Sequence, residues 1–205
     1  ANLSLLMDEF YARGYEDLNP DAKVIYPQAY YWKFGKTSNH GGLKLPKLEL
    51  QGSELLNIDV EFDWSPHMTG SGNIDKVSVV VEIEGSGTFE NGTNVSDVFV
   101  NECAKGDLKW HHVKTMIKGA NNTTRISIRP YQFAEADPDQ QRFHLDNIKV
   151  KDVTGTILTS KNVEDCNTFE KPDLVKPEPF KGAKVNKGTL KVKLPAMSIV
   201  TLEVK

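Results

Sequence analysis

The segment Leu56-Asn-Ile-Asp-Val-Glu-Phe-Asp-Trp64 alternates without a break, apolar at 56, 58, 60, 62 and 64 and polar between. Successive side chains of a strand point to opposite faces, so this spacing predicts a strand with one buried and one wet face. Val77, Val79, Val81 and Ile83 repeat the pattern and stop at Gly85-Ser-Gly87. A helix cannot sort such a sequence, because a period of 3.6 would smear the apolar residues around its surface.

Four further segments read as strands: Gly41–Leu45, Trp110–Ile117, Thr124–Arg129 and Arg142–Val150. Ser65-Pro66, Gly70-Ser-Gly72, Gly119-Ala-Asn-Asn122 and Asp137-Pro138-Asp139 supply turns between them. Short strands, Gly/Asn/Pro turns and no long amphipathic helix predict an all-β sandwich. Only residues 3–14 could hold a helical turn.

With 205 residues the chain makes one large or two small domains, and 39% apolar residues suffice for a core. A net charge of −3 gives no basic surface for nucleic acid. No stretch nears the ~20 apolar residues of a membrane span. The chain starts at Ala1, read as a mature or trimmed secreted chain. Cys103 and Cys166 could bridge, but two free thiols is the simpler reading. His111 and His112 are adjacent on a strand and face opposite ways, so they do not share a metal.

An ordered set of marks spans residues 5–150. It runs from Leu5-Leu-Met-Asp-Glu-Phe10 through Gly41-Gly42, Phe62-Asp-Trp64, Trp110 and Thr124-Arg-Ile-Ser-Ile128 to the closing Phe143-His-Leu-Asp-Asn-Ile-Lys-Val150. This set resembles the galactose-binding-like jelly rolls of carbohydrate-binding modules. The resemblance implies an extended segment over residues 3–14. It also implies a structural Ca²⁺ that ties the first strand to the last, with Asp146 and either Asp8 or Glu9 as ligands and Gly41 presenting a carbonyl. The competing reading has Asp146 and Asn147 closing a strand edge through local hydrogen bonds.

Sugar sites pair an aromatic ring, which stacks on the apolar face of a pyranose, with polar groups that meet its hydroxyls. Tyr30, Tyr31, Trp32, Trp110, Arg129 and Tyr131 are the candidates, with Tyr26, Phe133 and Arg125 behind them. One of the Tyr30-Tyr31-Trp32 trio must face the core by parity. Trp64 is read as core.

After residue 152 the composition shifts. Pro172, Pro177, Pro179 and Gly182 mark a semi-extended stretch, and two short strands follow near 189–194 and 198–204. Gly155-Thr-Ile-Leu-Thr-Ser160, Asn167-Thr-Phe-Glu-Lys-Pro172 and Leu194-Pro-Ala-Met-Ser198 resemble the extreme C-terminus of bacterial α-L-arabinofuranosidases. The domains expected are thus a jelly roll over 1–152 and a short arabinofuranosidase C-terminal-like β segment over 153–205. The catalytic glutamates of that family sit in a (β/α)₈ barrel of about 250 residues, for which this chain has neither length nor pattern. Asn101-Glu102 lacks that barrel context and is set aside. The expectation is a monomeric, non-catalytic carbohydrate-binding protein, secreted, periplasmic or on a bacterial surface. Its partner would be an oligo- or polysaccharide, plant-derived and arabinose-containing by the tail resemblance. The alternatives are an accessory fragment of an α-L-arabinofuranosidase and a structural domain without a glycan site.

Overall fold

A computed structural model describes residues 3–37, 39–50, 55–68, 76–104, 106–132, 141–151, 153–160, 165–180, 182–186 and 189–204. The chain divides into two compact units, residues 1–150 and 151–205.

The first unit is a sandwich of two five-stranded antiparallel sheets. In chain order its elements are α1 (Leu3–Ala12), β1 (Glu16–Asp17), β2 (Ile25–Pro27), β3 (Trp32–Phe34), β4 (Leu43–Lys44), β5 (Leu56–Pro66), β6 (Lys76–Glu84), β7 (Phe99–Glu102), β8 (His111–Ala120), β9 (Arg125–Pro130) and β10 (Phe143–Lys151). One sheet has the order β1-β4-β9-β6-β7, the other β2-β3-β10-β5-β8. Their inner faces share one core. Ile58, Val60, Phe62 and Trp64 of β5 are buried, as are Val77, Val79, Val81 and Ile83 of β6. The alternation read from the sequence is therefore the physical partition between the core and the outer faces. Trp64 lies in that core.

The opening segment corrects the sequence reading. Residues 3–12 are helical, not extended. Phe10 buries its ring against Tyr15 and Trp32, with centroids 5.1 and 5.0 Å away. Glu9 and Arg13 form an i,i+4 ion pair on the exposed side. The helix stops in a Schellman arrangement: Tyr15 N donates to Phe10 O at 3.3 Å, and Gly14 N donates to Tyr11 O at 2.9 Å. Gly14 sits at φ 85°, and the Tyr15 ring stacks on Phe10, which is the apolar contact that accompanies this cap. A Cβ at Gly14 would meet only Pro46, at an ordinary 3.5 Å. Gly14→Ala should therefore lower stability by the left-handed backbone cost alone, about 1–2 kcal/mol. A thermal melt checks this, and an unchanged Tm would contradict the cap assignment.

The second unit contains β11 (Val153–Thr159), β12 (Glu178–Pro179), β13 (Ala183–Asn186), β14 (Thr189–Val192) and β15 (Ser198–Val204). β11 pairs with β15 along its whole length, from Val153↔Val204 to Thr159↔Ser198, and β12 adds to its other edge. β13 and β14 form a hairpin. Asn167 imitates a strand neighbour: its side chain donates to Val175 O at 2.8 Å and accepts from Val175 N at 2.7 Å. That pair of hydrogen bonds closes the loop over Asn167–Val175 and gives the asparagine of the tail motif a structural task.

Candidate functional site

The outer face of the β2-β3-β10-β5-β8 sheet follows from parity. Phe143 and Leu145 of β10 are in the core, so His144 between them faces out. Lys33 lies between the core-facing Trp32 and Phe34, pairs in register with both His144 and Tyr26, and shares that face.

The face has two halves of different character. Around β5 and β8 its charges are matched. Lys114 bridges Asp59 at 2.8 Å and Glu61 at 3.2 Å. Asp63 receives His112 Nδ1 and the Asn147 side-chain amide, each at 2.8 Å. Burial pushes the Asp63 carboxyl up, but these partners outweigh it and hold it below its usual range.

Around β3 and β10 the face is aromatic and cationic. His144 is 4% exposed and central. Its ring meets Tyr31 at 4.9 Å and His67 at 4.8 Å, with Trp110 at 6.3 Å. Tyr31 and Trp110 touch each other edge to face at 5.5 Å and 71°. A short turn places Tyr31: Gln28 N donates to Tyr31 O at 2.9 Å between β2 and β3. Trp110 immediately precedes β8. His67 follows β5, and its backbone N donates to Arg142 O at 2.9 Å.

His67 Nδ1 and His144 Nε2 share a hydrogen bond of 3.0 Å. Burial, Lys33 and Arg142 push His67 down to about 4. Burial, His67 and Lys33 push His144 down to about 3. Both are neutral at physiological pH, so one ring donates and the other accepts. His144 Nδ1 is buried without a hydrogen-bond partner among the described residues, so a proton there would gain no bond. Lys33 is itself pushed down by burial and then by Arg142. Its ammonium stands 4.5 Å from the centre of the Tyr26 ring.

The candidates named from sequence divide accordingly. Tyr31 and Trp110 are brought together, and Trp110 is 39% exposed. Tyr30 stands in the adjoining turn, 86% exposed. Trp32 is the member of its trio that turns inward, packing on Phe10 under α1. There it lines an apolar cavity of about 280 Å³ with Leu6, Phe10, Tyr15 and Leu145. Arg129 and Tyr131 belong to the other sheet, at and just beyond the end of β9. Arg129 Nε donates to Glu82 at 2.6 Å, and its Nη1 donates to Pro130 O and Tyr131 O. Arg125 pairs with Glu16 at 2.6 Å. Phe133 lies outside the described residues. The edge-to-face geometry means that Tyr31 and Trp110 present one ring face to a ligand rather than a flat two-ring platform. Lys33, His67, Arg142 and His144 were not singled out from the sequence. Their signal was parity: each of Lys33 and His144 interrupts a pair of core residues.

Of the residues matched to a Ca²⁺ staple, Glu9 and Asp146 are engaged within the protein. Asp8 and Glu9 lie on α1, where Glu9 is engaged by Arg13. A Cβ on Gly41 would come within 2.5 Å of Gly35 N, so this glycine serves a close backbone approach. Asp146 Oδ1 accepts from Asn147 N at 2.7 Å, and Asn147 sits at φ 51°, the local closure given as the competing reading. No three His, Cys, Asp or Glu side chains among the described residues are grouped to hold a metal ion. Cys103 and Cys166 are both free, the first buried and the second exposed. His111 is half-buried and His112 exposed, on opposite faces. No helix among the described residues is long and apolar enough to cross a membrane.

Two antiparallel five-stranded sheets over one core define an all-β sandwich, with rings and charges gathered on one of its outer faces. The chain belongs to the α-L-arabinofuranosidase C-terminal domain family, whose model matches residues 16–198. The match runs through both units, whereas the sequence reading had confined this kinship to the tail. An intracellular exo-α-L-arabinofuranosidase of Bacteroides ovatus is 39% identical over 106 residues, 50% of this chain and 21% of that protein. The chain thus spans about a fifth of the curated relative it matches. Among solved structures, the CBM22-1 xylan-binding domain of Paenibacillus barcinonensis Xyn10C is similar at a TM-score of 0.38 and 12% identity, covering 67% of this chain and 84% of that one. The C-terminal CBM6 of a Zobellia galactanivorans laminarinase is similar at 0.35 and 10%, covering 67% and 98%. The fold assignment rests on the strand order rather than on these likenesses.

Proposed function

We propose that this protein binds carbohydrate, without hydrolysing it, at the outer face centred on His144. The observation that carries the reading is the Tyr31–Trp110 contact over a neutral histidine pair. A half-exposed indole offers a sugar its apolar face, while the tyrosine hydroxyl and imidazole nitrogens suit its hydroxyls. Keeping both imidazoles uncharged avoids a strongly hydrated cation under the ring. Arabinose-containing plant glycans are the first ligands to try, on the strength of the family. Affinity electrophoresis and calorimetry over arabinan, xylan and related glycans test this, and silence across the panel ends it. Trp110→Ala should weaken binding by about tenfold, the equivalent of ~1.4 kcal/mol, in a variant that still melts cooperatively. Undiminished affinity in that variant would move the site elsewhere.

The match to a C-terminal domain family and the small share of the B. ovatus enzyme that this chain spans favour a companion reading. In it the protein acts as the accessory part of an α-L-arabinofuranosidase. Both readings expect no turnover of an aryl arabinofuranoside, and turnover lost on changing one of this chain's own carboxylates would overturn them. We place the protein outside the cytoplasm, as a monomer. Cell fractionation and light scattering test those points, and an intracellular location like the one named for the B. ovatus relative would reverse the first.

A further inference from the structure

We propose that Lys33 reads the carboxylate of an acidic sugar, so that the bound glycan carries uronic acid residues. This rests on the glycan reading above and adds a ligand class to it. Acidic and basic groups are matched across the β5–β8 half of the face, where Lys114, His112 and Asn147 take up Asp59, Glu61 and Asp63. In the β3–β10 half, among the described residues, no carboxylate lies within ion-pairing distance of the Lys33 ammonium.

A half-buried ammonium has lost part of its hydration, so an arriving carboxylate gains more there than at a fully wet lysine. Lys33 is half-buried and can reach a ligand, whereas Arg142 is 5% exposed. Arg142 is held there by close packing: a Cβ at Gly35 would lie 3.0 Å from Arg142 Cγ, and Gly35 adopts φ 88°. The Tyr26 ring under Lys33 fixes the ammonium on the strand that Tyr31 precedes. Register puts Lys33 opposite His144, so the charge stands beside the aromatic site and not on a separate patch. A sugar seated on Trp110 and Tyr31 with a carboxylate toward β3 would meet the Lys33 ammonium.

The experiment titrates the full chain with oligogalacturonate, with the same oligosaccharide after reduction of its carboxyls to alcohols, with arabinan oligosaccharide, and with inorganic phosphate. The acidic sugar should bind about tenfold more tightly than its reduced twin, a charge-assisted bond being roughly twice as strong as a neutral one. Lys33→Gln should erase that preference, and Lys33→Arg should retain it. Salt raised from about 0.05 to about 0.5 M should narrow it. Equal binding of acidic and reduced sugars, or a preference that survives Lys33→Gln, overturns the inference while leaving glycan binding intact. Phosphate that binds as well as the sugar acid also overturns it, because the site would then read anions alone. No binding by any sugar removes the glycan reading and this one with it.

Discussion

Phe143→Ala should cost the folded protein about 3–5 kcal/mol, the usual loss for deleting a buried phenyl ring. Phe143 is fully buried, and its ring stacks on that of Phe34 at 5.2 Å and 16°, across the β10–β3 register. The pair joins a short strand to a long one. β3 has three residues and meets β10 over the register Phe143↔Phe34, His144↔Lys33 and Leu145↔Trp32. A cavity here removes the transfer energy of the ring and the contacts of its neighbours. Against a total stability of ~5–15 kcal/mol the loss is a large fraction. Urea denaturation should show a lower midpoint at unchanged slope, and Phe143→Leu should lose less than half as much. A loss below about 1 kcal/mol for the alanine variant would mean that the sheets do not meet at this ring. The same substitution should weaken glycan binding, because Arg142 and His144 flank Phe143 on the chain and Lys33 adjoins Phe34.

How the fold and the site differ in legibility follows from the range of the interactions that make them. β5 and β6 were plain in the sequence because alternation is local and each strand carries it alone. The end of α1 is written there too, in Arg13-Gly14-Tyr15 after Phe10, although the jelly-roll resemblance implies an extended opening. β7 and β11 were missed for another reason. Phe99–Glu102 shows little contrast between its two faces, and Gly155 interrupts Val153–Thr159, so their pairing is supplied by β6 and β15 rather than by their own pattern. The site is harder still. Parity could assign His144 and Lys33 to an outer face, and could send one residue of Tyr30-Tyr31-Trp32 inward. It could not bring Trp110 to Tyr31 or His67 to His144, since those contacts depend on sheet order. Two sheets also explain why Arg129, beside a recognisable strand, belongs to a different face from Tyr31.

Acid should destabilise the fold steeply between pH 6.5 and about 4, and the His67–His144 pair should be the main reason. Both histidines have an ordinary value of 6.5 and are pushed down in the folded chain, His67 to about 4 and His144 to about 3. Above pH 6.5 folded and unfolded chains both carry them neutral, so they add no pH dependence. Below it the unfolded chain takes up protons that the folded chain refuses, and stability falls with pH until the folded values are reached. Each histidine contributes at most ~1.4 kcal/mol per pH unit, so the pair approaches ~2.7 where both differ fully between the states. Water at the half-buried His67 trims its share, whereas His144 has little such relief. Among the described residues, Lys33 and Arg142 oppose protonation of the pair, and the Tyr31 ring packs against His144. Thermal melts from pH 7.5 to 4.5 should therefore show a falling Tm. His144→Gln should flatten the fall, even though it lowers Tm at neutral pH by loosening the Tyr31 and Trp110 contacts. A melt curve of equal steepness in wild type and His144→Gln would mean that carboxylates, not this pair, govern the acid limb. Protonation would also place charge directly under the proposed sugar ring, so affinity for neutral glycans should decline over the same interval, in step with the loss of the uncharged pair.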